Sequence, residues 1–168
     1  MPKDGLSWVP RNAADRERLA KDHFVKLAQD AVERNQLLFL TNPEDAEAQL
    51  RLGSALYALG RTTEALDHLR AATQLRPDDN TVHYQLGSIY LRQNRLDEAK
   101  KEFETVLRLK PDDFQASGSL GSVLLRQGNL DQAEFYFENT LRINPEDPIA
   151  RANLARVRKA KDTARSGN

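Results

Sequence analysis

The 168-residue chain contains no cysteine. That absence removes disulfide frameworks, thiolate metal sites, thiol nucleophiles and iron–sulfur ligation together, and says little about compartment. Net charge is absent too: 25 Lys and Arg balance 25 Asp and Glu. No global field therefore draws the chain to nucleic acid or to an anionic membrane. No apolar run approaches the roughly 18 residues needed to span a bilayer. The opening residues, Met-Pro-Lys-Asp-Gly-Leu-Ser-Trp, lack the hydrophobic stretch of a signal peptide. With Met1 as the natural start, a cytoplasmic protein is expected.

Chemistry-bearing patterns are equally scarce. His23, His68 and His83 are the three histidines, and none stands at a zinc-binding spacing from another. Dinucleotide, Walker and nucleophile-elbow motifs are missing. The expectation is a non-enzymatic chain with no catalytic residues, no metal and no cofactor.

What the sequence does have is a period of 34. Rows Ala46 to Asp79, Asn80 to Asp113 and Phe114 to Asp147 align. One column holds Leu52, Leu86 and Leu120, and the next Gly53, Gly87 and Gly121. Others hold Ala65, Ala99 and Ala133, then Leu69, Phe103 and Phe137. Pro77, Pro111 and Pro145 close the rows, and Pro43 supplies the same mark one period earlier. Each row reads as two short helices, the first stopping at Gly60, Asn94 or Gly128, residues that tolerate the left-handed backbone after a helix end. The second is expected to start near Thr63, Asp97 or Asp131, which are plausible N-caps. The recurring Gly-Ser pairs are explained as repeat columns. Asp78-Asp79, Asp112-Asp113 and Glu146-Asp147 read as solvated caps at helix starts rather than as a cation site. His83 reads as a packed structural histidine.

These columns resemble the tetratricopeptide repeat, whose signature is Trp-x2-Leu-Gly-x2-Tyr, then Ala-x3-Phe, then Pro. The second row matches best, with Leu86, Gly87, Tyr90, Ala99, Phe103 and Pro111, and departs at His83 where the family prefers Trp. The resemblance implies an all-α, right-handed solenoid of antiparallel helix pairs. Residues 1–45 form a helical N-terminal extension with 1–10 mobile. Three repeats follow at 46–79, 80–113 and 114–147, then a capping helix at 148–161 and a mobile tail at 162–168. Within the extension, Asp15 to Thr41 reads as one long helix or two short ones. Leu37-Leu38-Phe39-Leu40 is too apolar for solvent and is placed against the first repeat.

The resemblance further implies a protein-interaction scaffold or adaptor whose first helices line a concave groove. Carried onto this sequence, ligand-facing positions include Leu50, Arg51, Ser54 and Tyr57 in the first row. The second row gives Tyr84, Gln85, Ser88, Leu91 and Arg92. The third gives Ser119, Ser122, Leu125 and Arg126, with Asn153 and Arg156 on the cap. Apolar area beside arginines, each able to hold a carboxylate bidentately, points to a partner peptide or helix bearing apolar and acidic groups. A known subset of the family grips the acidic tail of heat-shock chaperones through Lys and Asn side chains. The equivalent positions here are Leu50, Ser54, Gln85, Gln115 and Ser119. None matches, so that tail is not an expected partner by such a clamp.

Two other readings stay open. A self-associating structural module, or an accessory segment of a larger assembly, would use Phe135 or the Leu37–Leu40 stretch; Phe135 otherwise packs under the cap. The expected state is a monomer or weak homo-oligomer. RNA binding would use the cap, since residues 148–168 carry six Lys or Arg and one Asp. The remaining residues are then net acidic, which argues against nucleic acid.

Overall fold

The computed structural model describes residues 12–166, and among them every regular element is an α-helix. The expected mobile residues 1–10 lie outside the described residues, as do 167 and 168. The helices are α1 (Ala13–Thr41), α2 (Ala46–Ala58), α3 (Thr62–Leu75), α4 (Asn80–Arg92), α5 (Leu96–Leu109), α6 (Phe114–Arg126), α7 (Leu130–Ile143) and α8 (Pro148–Ser166). Contacts divide the chain into two compact units, Met1–His68 and Leu69–Asn168, the division falling inside α3.

Local sequence explains where the helices begin and end. Asp45, Asp79, Asp113 and Asp147 recur every 34 residues. Each side chain accepts a hydrogen bond from a backbone N–H of the following first turn, at 3.0 Å from Glu47, 2.9 Å from Thr81, 3.0 Å from Ala116 and 2.7 Å from Ala150. The acidic steps are therefore caps. Inside each row the chain turns through a left-handed residue: Gly60 (φ 78°), Asn94 (φ 59°) or Gly128 (φ 79°). The next N–H reaches back to an earlier carbonyl, Arg61 to Leu56, Arg95 to Tyr90 and Asn129 to Leu124, the closing bond of a Schellman turn. This turn, rather than a side-chain cap, starts the second helices. α5 and α7 follow Arg95 and Asn129, neither of which makes a capping side-chain bond, so Asp97 and Asp131 lie inside the first turn and are not the N-caps.

In the first unit, α2 returns against the second half of α1. Val32, Leu52, Ala55, Leu56 and Ala65 form the core, with Phe39 and Tyr57 partly buried against it. α1 is one continuous helix. Of the apolar stretch near its end only Phe39 is partly buried; Leu37, Leu38 and Leu40 are exposed. This corrects the expected placement of all four against the first repeat. A single helix turns side chains through about 100° per residue, so four consecutive ones cannot share one face.

In the second unit the pairs α4–α5 and α6–α7 share one contact. The Phe103 ring lies on Gly87, where a Cβ would meet Cε1 at 2.8 Å; the Phe137 ring lies on Gly121, where it would meet Cε1 at 2.9 Å. Any side chain in the glycine column would take the ring's place. The tryptophan column of the family is polar here and braces each pair instead. Gln49 donates to the Pro43 carbonyl at 3.0 Å and meets His68 Nδ1 at 2.7 Å. His83 Nε2 meets the Pro77 carbonyl at 2.9 Å and Nδ1 meets Glu102 at 2.6 Å. Ser117 donates to the Tyr136 carbonyl at 2.9 Å. In all three cases the cross-helix partner lies 19 residues on.

α8 buries Ala150, Leu154 and Val157 and turns its charged side to α7. Arg158 reaches Glu134 at 3.0 Å and Glu138 at 2.7 Å; Lys161 reaches Asp131 and Glu134, both at 2.6 Å. The helix continues through residues 162–166, expected as part of a mobile tail. No proline or glycine interrupts it before Gly167, and Thr163 bonds back to the Lys159 and Ala160 carbonyls.

Two predictions follow from these contacts. Gly121→Ala should cost about 1–3 kcal/mol in chemical denaturation, as overpacking does. Adding Phe137→Leu, which removes the colliding ring, should make the pair of changes clearly non-additive; additive losses would show that the glycine–ring contact does not set the spacing. The hydrogen bonds from Lys161 and Arg158 hold the Glu134 carboxyl below its ordinary value. That contribution is present above the ordinary glutamate range, about pH 4.3, and is lost as the pH falls through the lower folded value. Amide protection in α8, taken relative to the intrinsic exchange rate at each pH, should therefore fall on acidification more than in α6, and Glu134→Gln should remove most of that difference.

Candidate functional site

The first helices of the second unit present one face that their second helices do not cover. α4 and α6 touch, as do α6 and α8. Between them opens a recess of about 220 Å³. Tyr84 and Leu91 line it from α4, Gly118, Ser119 and Ser122 from α6, and Ile149 and Ala150 from α8; Phe114 and Asp147 close the end where α6 and α8 begin. Gly118 also lies against α7, where a Cβ would meet Thr140 Oγ1 at 3.4 Å. Ser122 spends its hydroxyl proton on the Gly118 carbonyl at 2.9 Å, so it offers a ligand chiefly an acceptor.

The arginines are at the opposite end. Arg92 and Arg126 occupy the last turns of α4 and α6, where a cation also complements the helix dipole. Arg126 Nη1 donates to the Leu91 carbonyl at 3.0 Å, which holds its guanidinium at the Leu91 side of the recess. A helix of 13 residues is roughly 20 Å long at 1.5 Å per residue. The site thus has electrical polarity, with Arg126 at one end and the Asp147 carboxylate at the other.

Of the expected positions, the structure brings Tyr84, Leu91, Ser119 and Ser122 into the recess and places Arg126 beside it. Arg92 is exposed at the end of α4, and Gln85 and Leu125 are half-buried outside the recess. Ser88 donates to the Tyr84 carbonyl at 2.8 Å. Tyr84 packs edge-on against Phe103, with ring centroids 5.7 Å apart. On α8, Arg156 donates to the Asn153 side chain at 3.0 Å, beyond the recess lining. In the first unit Leu50 is buried, a packing role in place of the expected groove wall. Ser54 donates to the Leu50 carbonyl at 2.7 Å, Arg51 pairs with Glu47 at 2.7 Å, and Tyr57 is half-buried against the core.

The sequence reading missed Phe114, Asp147, Ile149 and Ala150. A signal for one of them existed. The second position of the rows is Glu47, Thr81 and Gln115, and the next step of 34 is Ile149, an exposed side chain. Phe135 is exposed rather than packed under α8, because α7 turns Glu134 and Glu138 toward Arg158 there. A wider recess of about 620 Å³ lies at the α6–α7 turn, lined by Asp131 and Lys161 among others. Those two are ion-paired at 2.6 Å, so its charge is neutralised within the fold. Among the described residues no cluster of three or more His, Asp or Glu is placed to hold a metal, and no helix is long and apolar enough to cross a membrane.

The tetratricopeptide-repeat signature matches residues 84–148, and a second TPR signature matches residues 53–94. The chain belongs to the tetratricopeptide-repeat family, whose members are generally non-catalytic protein-interaction scaffolds. No curated relative matches the sequence. Among solved structures, MamA residues 41 to the end from Desulfovibrio magneticus is 19% identical, with a TM-score of 0.77 over 94% of this chain and 90% of that one. The first TPR of Spaghetti (RPAP3), bound to an HSP90 peptide, is 19% identical with a TM-score of 0.67 over 70% and 93%. The Arabidopsis OM64 TPR domain is 18% identical with a TM-score of 0.65 over 68% and 94%. At these identities the likeness is one of fold.

The polarity of the site yields a prediction. Ile149→Asp adds a second carboxylate beside Asp147, and because Ile149 is 69% exposed the melting transition should stay nearly unchanged. A large loss of stability would mean that Ile149 is part of the core and not of an open wall.

Proposed function

We propose that this protein is an adaptor that binds a partner peptide or short helix on the first-helix face of the Leu69–Asn168 unit. The observation that carries this reading is a recess with apolar walls beside the anchored guanidinium of Arg126. An apolar side chain of the partner enters between Tyr84, Leu91 and Ile149. Acidic groups of the partner lie toward Arg126 and Arg92, and the Asp147 end repels them. Further contacts come from Gln85, Leu125, Asn153 and Arg156 on the same unit.

The RPAP3 structure, which holds an HSP90 peptide, supports peptide binding as something this fold can do. The same tail is not proposed here, because the clamp positions are Leu50, Ser54, Gln85, Gln115 and Ser119. RNA binding through the cap is disfavoured by the pairing of Arg158 and Lys161 with Glu134, Glu138 and Asp131.

Selection from a displayed peptide library tests the proposal. Enriched peptides should carry an apolar residue followed or preceded, on one side only, by Asp or Glu. Ile149→Asp should weaken them about tenfold or more, which is ~1.4 kcal/mol. Arg126→Glu should shift the selection away from acidic sequences while leaving the apolar residue. No enrichment, or selected peptides that bind Ile149→Asp as tightly as the unaltered protein, would overturn it.

A further inference from the structure

α1 carries an uncovered face that the repeat register makes interpretable. Stepping back by 34 from Ala65, Leu69 and Ala72 gives Ala31, Asn35 and Leu38. In the complete repeats these columns are closed: Ala99, Phe103 and Val106 are fully buried, as are Ala133 and Phe137, and Thr140 nearly so. In α1 the same columns are open, with Ala31 and Asn35 half-buried and Leu38 49% exposed. α1 thus stands where a second helix stands, with no first helix on it among the described residues.

The chain cannot supply that helix from the residues in register for it. Lys26 occupies the column of Gly60, Asn94 and Gly128, so no left-handed turn breaks the rod and residues 12–24 continue straight into it. Arg18 and Asp22 occupy the columns of Leu52, Leu86, Leu120 and of Leu56, Tyr90, Leu124. Folding back would bury both charges, at a cost that burial of apolar surface does not recover.

The face extends along the helix as Ala20, Phe24, Leu27, Ala31, Arg34 and Leu38, with alternating spacings of four and three residues; Ala31 lies at its edge, half-buried against the first-unit core, and the other five are exposed. That is the seam of a helix pair packed at a small angle. It is also self-complementary. Run antiparallel about a two-fold axis level with residue 29, Ala20 meets Leu38, Leu27 meets Ala31 and Phe24 meets Arg34 of a second copy. Each large aliphatic side chain faces a small one, and the guanidinium faces a ring, a favourable cation–π arrangement. Beside the seam, Lys26 of one copy comes level with Asp30 and Glu33 of the other.

We propose that α1 pairs antiparallel with α1 of a second copy of this chain, forming an isologous dimer. The contact lies on the first unit and is independent of the recess of the second.

The cysteine-free sequence allows a direct test on the full 168-residue chain. Leu27→Cys and Ala31→Cys are made as separate variants and oxidised alone and mixed. Antiparallel pairing brings residue 27 of one copy opposite residue 31 of the other, within disulfide reach of about 4.4–6.8 Å between Cα atoms. The mixture should give cross-linked dimer and either variant alone little. In sedimentation equilibrium the unaltered chain should show a concentration-dependent mass that Leu27→Glu with Leu38→Glu reduces to monomer. Both side chains are about half exposed, so the helical circular-dichroism signal should persist. A monomer at every concentration would overturn the proposal. So would cross-linking of each variant with itself, the mark of parallel pairing, or a dimer that survives the double substitution.

Discussion

The contact on which the rest of the second unit depends is an aromatic ring seated on a residue with no side chain. Phe103 on Gly87 and Phe137 on Gly121 let the two helices of a pair approach closely and bury both rings completely. Because the contact repeats at 34 residues, so does the geometry of each pair. Once the second helix occupies the glycine side of the first, the other side of the first helix has nothing from its own repeat to cover it. The recess between α4, α6 and α8 is a consequence of that one-sided packing, and its lining stays coupled to the rings: Phe137 reaches it and Tyr84 packs edge-on against Phe103.

A second constraint operates at the column where the family prefers tryptophan. Gln49, His83 and Ser117 are smaller or more polar than an indole, and each replaces its packing with a hydrogen bond to a second helix. Such bonds fix orientation more than they add net stability, since each exchanges for bonds to water. Their value lies in denying a buried polar group any other partner. At the C-terminal end the same principle acts through charge. α8 is basic in sequence, and two of its basic residues, Arg158 and Lys161, are turned onto α7, so part of what reads as a nucleic-acid patch is an electrostatic seam within the fold.

Most of the fold was legible because its determinants are local and periodic. Asp45, Asp79, Asp113 and Asp147 cap helices by contacts within three residues, and Gly60, Asn94 and Gly128 turn the chain by backbone freedom alone. The ends were harder to read. The Leu37–Leu40 stretch resembles core by composition, but a helix turns about 100° per residue, so of the four only Phe39 packs against the first-unit core. Helix α8 outlasted its expected end for want of a breaker. The site was legible in register and not in depth. Leu50 and Tyr84 occupy equivalent repeat positions, yet one is buried while the other lines the recess. Ile149 enters the site from the cap, beyond the last full row, and Asp147 from that row's final position.

The central claim is that ligand recognition belongs to the face built by α4, α6 and the start of α8. Two-dimensional amide NMR of the labelled protein, titrated with a library-selected peptide, tests it most directly. The account predicts that shifts concentrate at Leu91, Ser119, Ser122 and Ile149, with the Arg126 side-chain resonance moving when the peptide is acidic. Shifts concentrated instead on the outer face of α7 around Phe135, or along α1, would contradict it.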